Sequence, residues 1–279
     1  MCGLFGWIKP GATTQTDLDL ADLFREGMVQ SQIRGEDATG FYTPSTGVIK
    51  MAVSPDEFVD ENVPDSVVNE RFILGHCRKA SSKYRNTSNV DNPKNAQPFE
   101  SKDWVLIHNG EIDTPKIKGF NYTSQTDSEI IIAYTQKMGV KSALSSIDGS
   151  ASVVFYDKVN NKITFWTNGQ RPLAIAYYHN IIFYASTKAI LRNTLKPKTR
   201  YQIFPDISHA VIYENEPLVY DLKKNRFTRQ PLIKPRKKKI IRHSNDYGTG
   251  YGKKFANINS SPFLTSRVTL PRGCTQNPK

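Results

Sequence analysis

Four short apolar segments crowd residues 150–185, and the turns between them constrain what kind of sheet this chain can build. Segments 150–157 and 162–167 meet across Asn160-Asn161, and segments 173–178 and 181–185 meet across His179-Asn180. Asparagine tolerates the left-handed backbone of a tight hairpin turn, so both junctions predict antiparallel pairs. Further strand-like runs lie at 3–8, 40–43, 48–53, 71–77, 104–108, 210–213 and 218–221. Helices are expected at 17–32, capped by Thr16, with Leu18, Leu20, Leu23, Met28 and Ile33 loosely at helical spacing; at 126–137, with Asp127 and Glu129 in the first turn; at 140–147; and near 187–194. Residues 81–97 read as a long polar loop. The expected class is α+β, with mainly antiparallel sheets covered by helices.

The charge is unevenly placed. Residues 230–279 hold 11 Lys or Arg against one acid, Asp246, whereas the other 229 residues hold 27 basic and 25 acidic side chains. The expected division is therefore a globular body, 1–229, and a basic C-terminal tail, 230–279, linker-like and a candidate contact for nucleic acid or an acidic protein. No apolar run approaches the ~20 residues of a membrane span, and no secretory signal is visible. Three cysteines, Cys2, Cys77 and Cys274, form neither a disulfide framework nor a metal spacing, which points to a cytoplasmic location. The glycines at 248, 250 and 252 do not follow a strand, so no nucleotide-binding loop is assigned. No metal or cofactor is expected.

Cys2 directly follows Met1. Removal of the methionine would leave a thiol and an α-amine on one residue. The amine titrates near ~8, which lets it take a proton from the thiol and return it to a leaving group. One residue then supplies both nucleophile and base.

Several downstream segments suit the cleavage of a small amide. Arg34-Gly35-Glu36-Asp37-Ala38-Thr39-Gly40 precedes a strand, Gly75-His76-Cys77-Arg78 ends one, and Asn95-Ala96-Gln97-Pro98-Phe99 closes the polar loop. His108-Asn109-Gly110-Glu111 ends another strand, and Thr126-Asp127-Ser128-Glu129 opens a helix. The Asn109 carboxamide and the Gly110 N–H are candidate donors to a developing oxyanion. Arg78 is a candidate partner for a substrate carboxylate, and Asp127 for its ammonium. Each also has an ordinary reading: Asn-Gly is a common turn, Asp127 a common helix start, and His76 and His108 plain strand residues.

Together these segments resemble the class II glutamine amidotransferase domain of the N-terminal-nucleophile hydrolase superfamily. Met1 to Gly6 is similar to its opening, Arg34 to Gly40 to its Arg-Gly-x-Asp-x-x-Gly element, and Gly75 to Arg78 to its Gly-His-x-Arg element. His108 to Glu111 resembles its His-Asn-Gly signature, and Gln125 to Ile130 its helix start. Asn95 to Phe99 and Arg171-Pro172-Leu173 are similar to amidophosphoribosyltransferases, and Tyr184-Ala185-Ser186 to the family's Ala-Ser strand end. The resemblance runs over roughly residues 2–190. It implies a four-layer α/β/β/α sandwich and attack of Cys2 on the glutamine amide through a γ-glutamyl thioester. It implies that Asn109 and Gly110 form the oxyanion hole and that Arg78 and Asp127 hold the carboxylate and amine of L-glutamine. Arg34 would support the site near Cys2, and Ser81 stands where a threonine often touches substrate.

Two departures concern the pocket wall: Lys79 stands where an aromatic is usual, and Ser82-Lys83 replaces a glycine-containing continuation. The sequence reading is a stand-alone glutaminase that delivers ammonia to a separate synthase. Its rivals are another N-terminal-cysteine amidase and a non-catalytic scaffold on the same fold.

Overall fold

The structure, a computed structural model, describes residues 1–11, 18–81, 90–195, 208–210 and 212–235. The expected Thr16 cap, the Ser82-Lys83 departure and most of the basic tail lie outside the described residues.

In chain order the elements are β1 (Gly3–Ile8), α1 (Leu20–Ser31), β2 (Ala38–Thr43), β3 (Gly47–Met51), α2 (Pro55–Asn62), β4 (Phe72–Arg78), β5 (Phe99–Glu100) and β6 (Trp104–Ile112). Then follow α3 (Ser128–Ser145), β7 (Gly149–Asp157), β8 (Lys162–Thr167), β9 (Ala174–Tyr178), β10 (Ile181–Ala185), α4 (Lys188–Thr194), β11 (Ser208–Ala210), β12 (Leu218–Asp221) and β13 (Arg226–Arg229). A seven-stranded sheet runs β11-β9-β10-β1-β4-β2-β3, and a six-stranded sheet runs β13-β12-β8-β7-β6-β5. Every pairing in both is antiparallel.

Three apolar layers separate the elements, and the alternation of strand side chains explains how. On β1, Phe5 and Trp7 face a core shared with Leu20, Phe24 and Met28 of α1, Phe58 of α2 and Leu191 of α4. The intervening Leu4 and Ile8 face the second sheet, meeting Val105, Ile107, Val154 and Phe165. The outer face of that sheet, with Leu106, Phe155 and Trp166, packs on Ile130, Ile131 and Leu144 of α3. Period-two alternation therefore covers both faces of each sheet, and the result is the α/β/β/α sandwich.

Two of the close approaches that need glycine involve β1. A Cβ on Gly27 would sit 2.2 Å from the Phe5 ring, so α1 reaches β1 only because none is there. A Cβ on Gly6 would collide with the Tyr184 hydroxyl, which crosses β1 to donate to the Ile73 carbonyl at 2.9 Å.

The hairpin junctions form as read. Asn161, His179 and Asn180 all have positive φ. Other expectations are corrected. Helix α1 starts at Leu20, capped by the Asp19 side chain accepting from Asp22 N, and Ile33 lies beyond it, 89% exposed. By contrast, the two helices expected at 126–137 and 140–147 hold: α3 consists of two helical segments that meet at Gly139, whose backbone (φ +77°, ψ +162°) is not helical. The short helix takes Thr187 as its cap, accepting from Ile190 N. The strand expected at 210–213 instead occupies Ser208–Ala210. Neither α2 nor β13 was anticipated. The packed chain also continues past Arg229: Gln230 N donates to Pro217 O at 2.8 Å, and Ile233 is buried.

Candidate active site

Cys2 immediately precedes β1, the middle strand of the seven-stranded sheet, and is buried. Its backbone N–H donates across the sandwich to Asn109 Oδ1 on β6, at 2.9 Å. Its carbonyl is held from two sides, by Arg34 Nε at 3.0 Å and by the Ser186 hydroxyl at 3.2 Å. The same Ser186 oxygen accepts from Leu4 N at 2.8 Å. The residue is thereby fixed by contacts from a loop, a strand end and the opposite sheet.

The thiol lies against residue 79. Lys79 N–H points to Cys2 Sγ at 3.5 Å. Burial pushes the thiol above its ordinary range, while this N–H and the positive charges of the N-terminus and Arg78 pull it back. The Lys79 side chain takes no part in that contact. It pairs with Glu36 and lies 3.9 Å from Asp37, so the departure at this position faces the Arg34-to-Gly40 element. Cys77 differs from Cys2: it sits in the apolar core with its thiol on the Met28 carbonyl, and burial holds it well above the usual range. A protonated, enclosed thiol is inert.

Asn109 has one unambiguous orientation. A backbone N–H only donates, so the atom facing Cys2 N must be Oδ1. That leaves Nδ2 buried, with no hydrogen-bond partner among the described residues. Gly110 follows it in the β6–β7 ladder, where a Cβ would stand 1.9 Å from the Ser150 carbonyl; only glycine fits. Arg78 is buried at the end of β4, with Nη1 also lacking a partner among the described residues, as does Ser81 Oγ. Burial lowers the affinity of the Arg78 guanidinium for its proton, and the charges of Cys2, Asp37 and Asp127 oppose this. Unmet buried donors cost about 1–3 kcal/mol each, a cost that acceptors on a bound ligand would offset.

Asp127 stands at the N-cap position of α3, yet its side chain makes no capping bond. Oδ2 instead accepts from Ile112 N at 2.7 Å, just beyond Asn109 and Gly110. Its charge acts on both Cys2 and Arg78. The structure thus brings together Cys2, Arg34, Arg78, Asn109, Gly110 and Asp127, and Ser81 follows two residues after Lys79, whose N–H faces the thiol.

The two histidines are packing residues. His76 Nε2 donates to His108 O at 3.1 Å, and burial takes its imidazole down to about 3. Burial also lowers His108, although Asp127 pulls the other way. Sequence reading assigned no role to Gln97, Ser128 or Lys50. Gln97 Oε1 accepts from His108 N at 2.7 Å; its Nε2 donates to His108 O and to Ser128 Oγ, each at 3.1 Å. Lys50 Nζ donates to the carbonyls on either side of that residue, Ala96 at 2.8 Å and Pro98 at 3.3 Å. Burial lowers its ammonium to about 8.

A family profile described as a glutamine amidotransferase domain matches residues 62–221, more than half of the chain. The chain belongs to that family. It is of the class II, N-terminal-nucleophile type. Among curated relatives, glutamine–fructose-6-phosphate aminotransferase of Listeria monocytogenes is 25% identical over an alignment of 213 residues that covers 70% of this chain and 33% of the relative. The Helicobacter pylori enzyme of the same name is 24% identical over 68% of this chain and 33% of its own length. Among solved structures, glutamine phosphoribosylpyrophosphate amidotransferase of B. subtilis superposes with a TM-score of 0.59 at 18% identity, over 82% of this chain and 49% of that one. This amidotransferase domain therefore spans about a third of the length of the curated relatives it matches. The profile begins at residue 62, so Cys2 and Arg34 lie outside the matched segment. Among the described residues, no helix is long and apolar enough to cross a membrane.

Proposed function

We propose that this domain hydrolyses the side-chain amide of L-glutamine with Cys2 as nucleophile, after loss of Met1. The observation that carries the reading is the joining of Cys2 to Asn109 across two sheets, together with two buried donors that have no partner among the described residues, Asn109 Nδ2 and Arg78 Nη1.

The freed α-amine takes the thiol proton as Sγ attacks the amide carbon. The carbonyl oxygen becomes an oxyanion held by Asn109 Nδ2 and the Gly110 N–H. The amine then returns the proton to the departing nitrogen, releasing ammonia and leaving a γ-glutamyl thioester on Cys2. Water, deprotonated by the same amine, adds to the thioester, and collapse expels the thiolate and frees glutamate. Arg78 pairs with the α-carboxylate, and Asp127 accepts from the α-ammonium through the oxygen not engaged by Ile112. Arg34 fixes the Cys2 carbonyl, and Ser81 adds a hydroxyl to the pocket wall.

The ammonia acceptor is proposed to be a separate synthase, and no further cofactor enters the glutaminase half-reaction. Intact mass before and after a glutamine-analogue electrophile tests the core reading. It should show a species lacking Met1 that gains one adduct on Cys2. Cys2→Ala should abolish glutamate release. Equal release by Cys2→Ala, or full activity in a protein that keeps Met1, would overturn it. Coupling to a synthase is checked by whether a co-purifying protein consumes glutamine-derived ammonia that the domain alone sets free.

A further inference from the structure

We propose that Gln97 is a positioning residue that sets the oxyanion donor and the amine-binding carboxylate at their working separation. The inference rests on the glutaminase reading and adds a residue to it. Gln97 is buried, and its carboxamide orientation is unambiguous because His108 N can only donate. Its oxygen therefore accepts from the N–H of His108, the residue before Asn109, while its nitrogen donates to the carbonyl of the same residue. The other contact grips Ser128, the residue after Asp127. Ser128 in turn bonds His108 Nδ1 at 2.9 Å, closing the triangle. Gln97 thus holds the neighbours of both Asn109 and Asp127.

The segment bearing Gln97 is itself braced. Asn95 Oδ1 accepts from Gln125 N at 2.9 Å, a second tie to the entry of α3. Lys50 secures the carbonyls of Ala96 and Pro98. Gly40 lets the segment lie against β2, since a Cβ there would stand 2.4 Å from the Gln97 carbonyl. This explains the last glycine of the Arg34-to-Gly40 element. The amide matters as an amide: one oxygen must accept from His108 N while one nitrogen donates twice.

Gln97→Glu keeps the shape and the acceptor but loses both donated bonds. Displacement by about 1 Å at a reacting centre costs on the order of 100-fold, so kcat/KM should fall by about that factor, with kcat lowered and KM raised together. The measurement is glutamate release by the full chain, normalised by active-site titration with a glutamine-analogue electrophile so that only folded sites are counted. Because the clamp works through two residues, the loss from Gln97→Glu should shrink in Asn109→Ala and Asp127→Asn backgrounds. Ser128→Ala, which removes the bonds of α3 to Gln97 and to His108 Nδ1 but leaves Gln97 on the His108 backbone, should raise KM and leave kcat within a few-fold. Unchanged kcat and KM per titrated site, or full additivity, would overturn the proposal. If Gln97→Glu does not fold, Ser128→Ala decides, and an unchanged KM overturns it. A wild-type protein without Cys2-dependent glutamate release sinks the glutaminase reading instead; an active wild type matched by Gln97→Glu sinks the clamp alone.

Discussion

The two halves of the sandwich position their functional residues by different physics. Under the seven-stranded sheet, α1 is held by aromatic packing: Phe24 meets Trp7 edge-on at 5.7 Å, Phe41 at 5.8 Å and Phe5 at 6.2 Å, and Phe41 continues to Phe58. On the six-stranded side, the entry of α3 is held mainly by polar contacts. The Glu129 carboxylate accepts from Thr123 N and Oγ1 and from Ser124 N and Oγ, while Gln97 and Asn95 reach the residues around Asp127. The helix under the seven-stranded sheet is thus held by non-directional burial, and the entry of α3 over the six-stranded sheet largely by directional bonds. Burial secures stability, and hydrogen bonds secure geometry.

The contrast can be broken by substitution. Phe24→Ala should have the largest effect on stability, about 3–5 kcal/mol by chemical denaturation, while kcat per titrated site stays unchanged; a drop in kcat there erases the division. Glu129→Gln should cost less, about 1.5–3 kcal/mol for hydrogen bonds to a charged group, and should raise KM for glutamine because the start of α3 loosens. It also carries a pH signature. Burial alone would raise this carboxyl, but the Ser124 and Thr123 donors hold it below its ordinary value of 4.5. A depressed folded value means its contribution is complete above about pH 4.5 and fades as pH falls through the lower folded value. Wild type should therefore lose more stability than Glu129→Gln on acidification through that window, and parallel curves would remove Glu129 from the account. The smallest effect belongs to the surface of the aromatic half. Arg25 pairs with Asp65 at 2.5 Å, but Asp65 is largely exposed and Arg25 also donates to the Val63 carbonyl. Asp65→Ala should leave the denaturation midpoint and activity unchanged, since exposed pairs contribute little.

Particular elements show why some of the fold was legible and some was not. The hairpins at Asn160-Asn161 and His179-Asn180 were readable because turn chemistry acts within two residues. Gly139 lies in the gap between the two helices expected at 126–137 and 140–147, and its non-helical backbone divides α3 there. Helix α2 escaped notice because it buries little beyond Pro55, Phe58 and Val59, too few for a periodic signal. β13 escaped for the same reason: its four residues are mostly exposed, and only Phe227 packs inward. In the site, Cys2, Arg78, Asn109, Gly110 and Asp127 stood out as short motifs. The work of Gln97, Lys50 and Ser186 did not, since each acts on partners far away in the chain.

Sequence alone determined the alternating strands, their antiparallel pairing and the presence of a thiol beside the chain start, because those features follow from neighbouring residues and their local conformations. Tertiary structure alone decided that Asn109 turns its oxygen to Cys2 and leaves its nitrogen without a partner among the described residues, that Asp127 reaches Ile112 instead of capping its helix, and that Gln97 spans the two. Those outcomes depend on where separate sheets come to rest against each other, and hydrogen bonds of about 3 Å form only once that packing has brought distant residues within reach.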